Sequence, residues 1–141
     1  MPVPEGQIAV AREWVVKAEN DLRTAEYTLT MGERCPTDTV CFHAQQCVEK
    51  YLKALLVAEG VDFARTHDIA ELMAVSPEKV HPVLDEAQQD RMTEYATVTR
   101  YPGAYGPISM EEARDAVEVA RRAAERIRRL LPAGALDLDE K

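Results

Sequence analysis

One segment of the chain, residues 37–60, constrains the fold more than any other. Apolar side chains recur in it every three or four residues, which is the spacing of a helix with a wide buried face. The residues of this face are Val40, Ala44, Cys47, Val48, Tyr51, Leu52, Leu55 and Leu56. Thr37 follows Pro36 as an expected N-cap, and Gly60 ends the pattern. A helix with so broad an apolar face is expected at the centre of a bundle.

The rest of the chain repeats the helical pattern and shows no alternation of apolar and polar residues that would indicate a strand. The further helices are predicted at residues 7–31, 68–75, 82–98 and 109–132. Ser109 followed by Glu112 forms a capping box at the start of the last one. Long amphipathic helices with short connections pack as antiparallel neighbours. The sequence therefore predicts an all-α, antiparallel up-and-down bundle of four to five helices, spanning residues 1–132, with a flexible tail at 133–141.

Composition excludes several classes of function. The formal charge is −8 and the pI about 4.9, so the protein should repel a phosphate backbone on average, and nonspecific DNA binding is not expected. The longest apolar runs fall far short of the ~18 residues that a membrane span needs, and residues 1–6 do not resemble a secretory signal. We therefore expect a cytoplasmic protein that does not bind membranes.

No cofactor or metal site is predicted. Cys35, Cys41 and Cys47 stand six residues apart, a spacing that fits no zinc pattern, and Cys41 and Cys47 are typical of small apolar core residues. The sequence contains no glycine-rich phosphate loop, HExxH motif or serine elbow. The sequence therefore does not indicate an autonomous nucleotidyltransferase or metallohydrolase.

A polar row lies beside the apolar face of the central helix. His43, Gln46, Lys50 and Lys53 follow one another at three or four residues. One interpretation is a solvated strip in which Glu49 pairs with Lys53 across one turn. The other makes Gln46, Lys50 and Lys53 donors that line a pocket for phosphate or another anion. The sequence leaves both open.

Two turns carry further candidate residues. His67 stands just before the third helix, where it either bonds to backbone at the helix start or faces a ligand and transfers protons. Arg100 ends the fourth helix, where it either grips a phosphate or caps the last carbonyls. Tyr101 beside it either stacks on a base or packs on the bundle. Asp21 in the first helix is assigned to the surface.

Taken together, these segments resemble the HEPN domain over residues 11–131. The features that match are Trp14, Ala18 and Asp21-Leu22 in the first helix, residues 41–54 in the second, then Arg65-Thr66-His67-Asp68-Ile69, and Arg100-Tyr101-Pro102. The resemblance implies a bundle of four or five helices and a homodimer. It also implies association with a small separate nucleotidyltransferase in toxin–antitoxin-like or defence modules.

The ribonuclease motif of this family is missing. Many relatives are metal-independent ribonucleases that use an arginine followed, roughly four to six residues later, by a histidine that moves protons. His43, His67 and His81 have no arginine at that upstream distance. The resemblance therefore favours a protein without this enzymatic activity.

The sequence as a whole favours a dimeric HEPN protein that binds a nucleotide, a nucleic-acid end or a nucleotidyltransferase partner. The expected groove is cationic, and its residues are Gln46, Lys50, Lys53, His67, Arg100 and Tyr101. Two alternatives remain. One is a ribonuclease toxin in which His67 replaces the missing histidine and Arg65 or Arg100 holds the phosphate. The other is a structural partner subunit whose polar row makes protein contacts only.

Overall fold

The computed structural model describes residues 3–97, 102–103 and 106–138, and every regular element in these ranges is helical. The α-helices are α1 (Glu5–Thr28), α2 (Thr37–Ala58), α3 (Ile69–Ala74), α4 (Glu86–Thr97) and α5 (Met110–Leu130). Short 3-10 turns cover Leu29–Arg34, Glu78–Val83 and Ala133–Leu136. The predicted all-α, antiparallel up-and-down bundle is confirmed. No helix in the described ranges has the length and apolar character needed to cross a membrane.

Helix α2 is the centre of the bundle. It packs against α1 along most of its length and also contacts α3, α4 and α5. Val48, Tyr51 and Leu55 are completely buried. Burying one side chain such as valine or leucine contributes roughly 1.5–3 kcal/mol, so this helix anchors the other four. Because α2 is enclosed on several sides, some of its polar residues are buried as well, and these form the site described below.

The start of α5 has the predicted N-cap, whereas the start of α2 does not. Ser109 caps α5, since its side chain accepts a hydrogen bond of 3.0 Å from the backbone N–H of Glu112. Thr37, predicted as the N-cap of α2, is instead the first residue of that helix, and Pro36 precedes it without a side-chain cap. The Thr37 hydroxyl donates to the backbone oxygen of Ile108 at 2.7 Å. It therefore ties the start of α2 to the segment before α5.

Helix α4 starts later than predicted. Pro82 lies inside a 3-10 turn, Leu84 is extended, and α4 begins only at Glu86. Asp85 and Gln88 form a reciprocal cap at this start: the Asp85 carboxylate accepts from the Gln88 N–H at 2.8 Å, and the Gln88 side chain accepts from the Asp85 N–H at 3.0 Å. The capping pair sets the helix start, and the proline does not.

Residues 133–136 pack against α1, although the sequence pattern predicts that the bundle ends at Pro132. Ala135 is completely buried, and the Arg12 guanidinium donates from Nε to the backbone oxygen of Gly134 at 2.8 Å. A Cβ on Gly134 would come within 2.9 Å of Ile8 Cγ2, so the close approach of the two segments depends on this glycine. The folded unit therefore extends past the predicted boundary.

Candidate functional site

A buried carboxylate organises the polar row of α2. The Glu49 side chain is only 3% exposed. It accepts hydrogen bonds from Gln45 Nε2 at 3.0 Å, Gln46 Nε2 at 3.2 Å, Lys53 Nζ at 2.7 Å and His67 Nδ1 at 2.9 Å. We call these five residues the Glu49 cluster. Three of the predicted site residues, Gln46, Lys53 and His67, belong to it.

The charge state of Glu49 follows from this environment. Burial alone would raise the pKa of its carboxyl, but hydrogen bonds from Lys53, Gln45 and His67 outweigh burial and hold the pKa below the ordinary value of 4.5. Glu49 is therefore an ionised carboxylate at neutral pH. An ionised carboxylate can only accept hydrogen bonds, so the proton of the His67 imidazole sits on Nδ1.

His67 consequently presents its other ring nitrogen, Nε2, as an acceptor. The His67 side chain is 48% exposed, so this nitrogen is within reach of a ligand, whereas the carboxylate that orients the ring is shielded from water. A carboxylate that fixes the tautomer of a histidine and stabilises the imidazolium is the arrangement found in general acid–base sites. The arrangement therefore leaves Nε2 as the ring atom that faces a ligand.

Lys53 has little freedom to act as an exposed cation. Its residue is 7% exposed, and its ammonium forms the salt bridge with Glu49. The same ammonium lies 5.3 Å from the ring centroid of Trp14 on α1, a favourable cation–π distance. Both contacts compensate for the cost of burying the charge. The predicted Glu49–Lys53 pair is thus present, but it is buried and not part of a solvated strip.

A second carboxylate, Asp21 on α1, holds the remaining part of the row. Its two oxygens accept hydrogen bonds from His43 Nδ1 at 2.8 Å and Lys50 Nζ at 2.6 Å. The Asp21 side chain is 11% exposed, while those of His43 and Lys50 are 28% and 21% exposed. We call these three residues the Asp21 cluster. It connects α1 to α2 and leaves its imidazole partly accessible.

The expected site residues are therefore divided between two clusters. Lys50 belongs with Asp21, and Gln46, Lys53 and His67 belong with Glu49. Arg100 and Tyr101 lie outside the residues that the structure describes. Each lysine is paired with a carboxylate, so the row does not present the two unpaired ammonium groups that a cationic groove requires.

Two interpretations of single residues need correction. Asp21 was assigned to the surface but is 8% exposed, because it falls on the apolar stripe between Ala18 and Ala25. The position of an acidic residue on an apolar stripe is the sequence signal that could have indicated the burial of Asp21. His67 does not cap α3; Asp68 does, accepting from the Glu71 N–H at 3.1 Å.

Other concave or reactive features lie away from these clusters. A groove of about 1080 Å³ runs along α4 and α5, and it contains none of the predicted site residues. Its lining mixes arginines with carboxylates, including Arg91, Glu111 and Asp115.

Burial raises the pKa of the Cys41 thiol to about 12, so this cysteine is an unreactive core residue. Within the described ranges, no group of three potential ligands could hold a metal ion.

Comparison with known proteins agrees with the helical architecture. The family model of the HEPN domain matches residues 11–130, so the chain belongs to the HEPN family. Among solved structures it is similar to the crystal structure of TT1696 from Thermus thermophilus, with a TM-score of 0.71 and 31% identity. That match covers 86% of this chain and 98% of the other.

Two further relatives extend the comparison. The crystal structure of ST0689, an archaeal HEPN homologue, superimposes with a TM-score of 0.67 at 25% identity, again over 86% of this chain and 98% of the other. A Methanocaldococcus jannaschii protein named "Putative toxin MJ1304" is 40% identical over 58 residues. This last match covers 41% of the present chain and only 36% of the relative.

Proposed function

We propose that this chain is a cytoplasmic HEPN protein of a toxin–antitoxin-like or defence module, and that it binds a nucleotide or an RNA end at the Glu49 cluster. Membership of the HEPN family and the toxin name of one relative support the module. The observation that carries the binding site is the half-exposed His67 imidazole fixed on a carboxylate that is 3% exposed.

The Glu49 cluster suits a nucleotide in two ways. Neutral His67 Nε2 accepts a hydrogen bond from a ribose hydroxyl, and protonated His67 donates to a phosphate oxygen. The sequence also predicts Arg100 as a contact to a phosphate and Tyr101 as a contact to a base of this ligand, and both residues lie outside the described ranges.

The proposal includes a homodimer and a small nucleotidyltransferase partner. Both come from the family resemblance carried by the second helix, the His67 loop and Arg100-Tyr101-Pro102. Size-exclusion chromatography with light scattering tests the dimer, since a monomer at micromolar concentration would contradict it. Pull-down of the nucleotidyltransferase encoded beside this chain, if its genome carries one, tests the partner.

The binding experiment uses a fluorescent, 5′-phosphorylated single-stranded RNA hexamer and, as competitor, a nucleoside monophosphate. Wild type should bind the RNA, and His67→Asn should bind it about fivefold more weakly, because asparagine keeps a donor near Nδ1 and lacks Nε2. Lys79→Ala, which removes an exposed cation elsewhere, is the matched control. No binding of any nucleotide or RNA by wild type would reject the proposal in favour of a structural partner subunit.

The second candidate function is a metal-independent ribonuclease, and the Glu49–His67 pair is the observation that favours it. In that reaction His67 Nε2 takes the proton of a ribose 2′-hydroxyl. The resulting oxygen attacks the adjacent phosphorus, and the bond to the 5′-oxygen breaks as that oxygen gains a proton from an acid or water. Arg65, which is exposed two residues before His67, would hold the phosphate in this reaction.

A mixed RNA pool with chelator present tests this candidate. Cleavage by wild type that is abolished in His67→Asn would support it, because only the proton-accepting nitrogen has been removed. RNA that stays intact with wild type would reject the ribonuclease and leave the binding proposal standing.

A further inference from the structure

Asp21 and Glu49 organise their surroundings in the same way. Each carboxylate accepts one hydrogen bond from a histidine Nδ1 and one from a lysine ammonium of α2. The four distances are 2.8 Å for His43–Asp21, 2.6 Å for Lys50–Asp21, 2.9 Å for His67–Glu49 and 2.7 Å for Lys53–Glu49. The Glu49 cluster is the proposed ligand site, and the Asp21 cluster repeats its central arrangement between α1 and α2.

The two imidazoles are also alike in what they offer to a ligand. Each is held through Nδ1, so each directs Nε2 away from its carboxylate, and their side chains are 28% and 48% exposed for His43 and His67. The Lys50 ammonium has three hydrogens, and its bond to Asp21 uses one of them. The Asp21 cluster therefore has both a hydroxyl acceptor and a phosphate donor at a partly open position.

The clusters are neighbours along one side of α2. Lys50 of the Asp21 cluster and Lys53 of the Glu49 cluster are three residues apart, so they lie on one face of the helix, roughly 4.5 Å apart along its axis at about 1.5 Å per residue. Gln46 lies on the same face, is 8% exposed and donates to both Gln45 and Glu49. The two clusters therefore adjoin, and a ligand longer than one nucleotide would reach both.

We infer that the Asp21 cluster is a second RNA-contacting subsite, and that the two clusters together bind one single-stranded RNA segment longer than one nucleotide. This inference rests on the proposed function, because it assigns the Glu49 cluster to the same ligand. It adds His43 and Lys50 as contacts, and it makes an oligonucleotide a better ligand than a mononucleotide.

The test compares His43→Asn and His67→Asn on two ligands, a single-stranded RNA hexamer and a nucleoside monophosphate, with Lys79→Ala as control. Asparagine retains an N–H that can reach the carboxylate but removes Nε2. Each variant should weaken hexamer binding about fivefold. Binding of the monophosphate should fall in His67→Asn and stay within about twofold of wild type in His43→Asn.

The outcomes separate the two proposals. A hexamer affinity that falls in His67→Asn but not in His43→Asn overturns the second subsite and leaves the proposed function intact. A hexamer affinity that changes in neither variant overturns both the second subsite and the proposed function. His43→Asn that weakens the hexamer and leaves the monophosphate unchanged supports the inference.

A second measurement uses wild type alone and so does not depend on how the variants fold. Diethyl pyrocarbonate acylates accessible imidazole nitrogens, and mass spectrometry reads each histidine separately. Saturating hexamer should slow acylation of His43 and His67 by at least about fivefold. His81 is the internal control. It lies outside both clusters, with its Nε2 2.9 Å from the backbone oxygen of Met73, so RNA should not change the rate at which it is acylated. Equal acylation of His43 with and without RNA would overturn the subsite.

Discussion

Nδ1 of His67 lies 2.9 Å from Oε1 of Glu49, a carboxylate on the central helix whose side chain is 3% exposed. The two residues are eighteen positions apart, and the bond fixes the loop after α2 against the middle of that helix. Because the same carboxylate holds the buried Lys53 ammonium, a change at Glu49 affects both stability and the orientation of His67.

Glu49→Gln should lower the free energy of unfolding by about 3 kcal/mol, since breaking a buried ion pair leaves an uncompensated charge on Lys53. Urea denaturation followed by circular dichroism measures the change. Glu13→Gln replaces an exposed glutamate of α1 and should stay within about 0.5 kcal/mol of wild type. Equal stability of the two variants would show that the Glu49 cluster contributes little to folding.

The lowered pKa of Glu49 makes a prediction about acid. A carboxyl whose pKa is lower folded than unfolded adds stability above its unfolded value, and this stability is lost as pH falls through the folded value. Wild type should therefore lose stability relative to Glu49→Gln as pH falls below about 4.5. Denaturation curves of both proteins from pH 7 to pH 3 measure the difference. A gap between them that does not narrow on acidification would contradict the assigned charge state.

Tyr51 should remain protonated in alkaline solution. Burial raises the pKa of its phenol, the hydrogen bond to Glu19 raises it further, and the Arg128 guanidinium at 3.0 Å only partly opposes them. In a spectrophotometric titration at 295 nm, folded wild type and Tyr51→Phe should give the same number of ionising tyrosines at pH 10.5. One additional ionising tyrosine in the wild type would contradict the prediction.

The cap of α5 offers a smaller and independent test. Ser109→Ala should destabilise the protein by about 1 kcal/mol, because the Glu112 N–H loses its acceptor. Ser109→Asp keeps an acceptor and adds a favourable charge at the helix N-terminus, so it should match or exceed wild type. Thermal melts of the three proteins give the order of their melting temperatures. Equal melting temperatures for alanine and aspartate would contradict the cap.

Ending the chain after Pro132 should lower the melting temperature by about 4 °C. The truncation removes the buried Ala135 and the carbonyl that accepts from Arg12, a loss of about 1 kcal/mol. Ending the chain after Leu138 removes only the last three residues and is the matched control. If both shortened proteins melt alike, residues 133–136 do not stabilise α1.

The fold was predictable because helix spacing is a local property. The apolar positions of α2 and α5 identify those helices without knowledge of their neighbours. The pattern predicts the start of α4 at Pro82, but the reciprocal cap formed by Asp85 and Gln88 decides it, and the prediction did not take that local signal into account. The approach of residues 133–136 to α1 depends on a contact between Arg12 and Gly134, which no local pattern contains.

The site was predictable only in part, for the same physical reason. Spacing along one helix placed Gln46 and Lys53 together with the pair partner Glu49. It could not show that Lys50 turns towards Asp21, because that pairing depends on how α1 and α2 are rotated against each other. His67 required knowledge of the path of the loop after α2.

The internal pairing of both lysines affects which molecules this surface can select. Because each ammonium is paired with a carboxylate, the row would displace few of the counterions that are condensed on a polyanion. The net charge of −8 on the protein also repels such a polymer. A strand retained here would depend on contacts to individual phosphates and sugar hydroxyls, and not on a general attraction between the protein and the polymer.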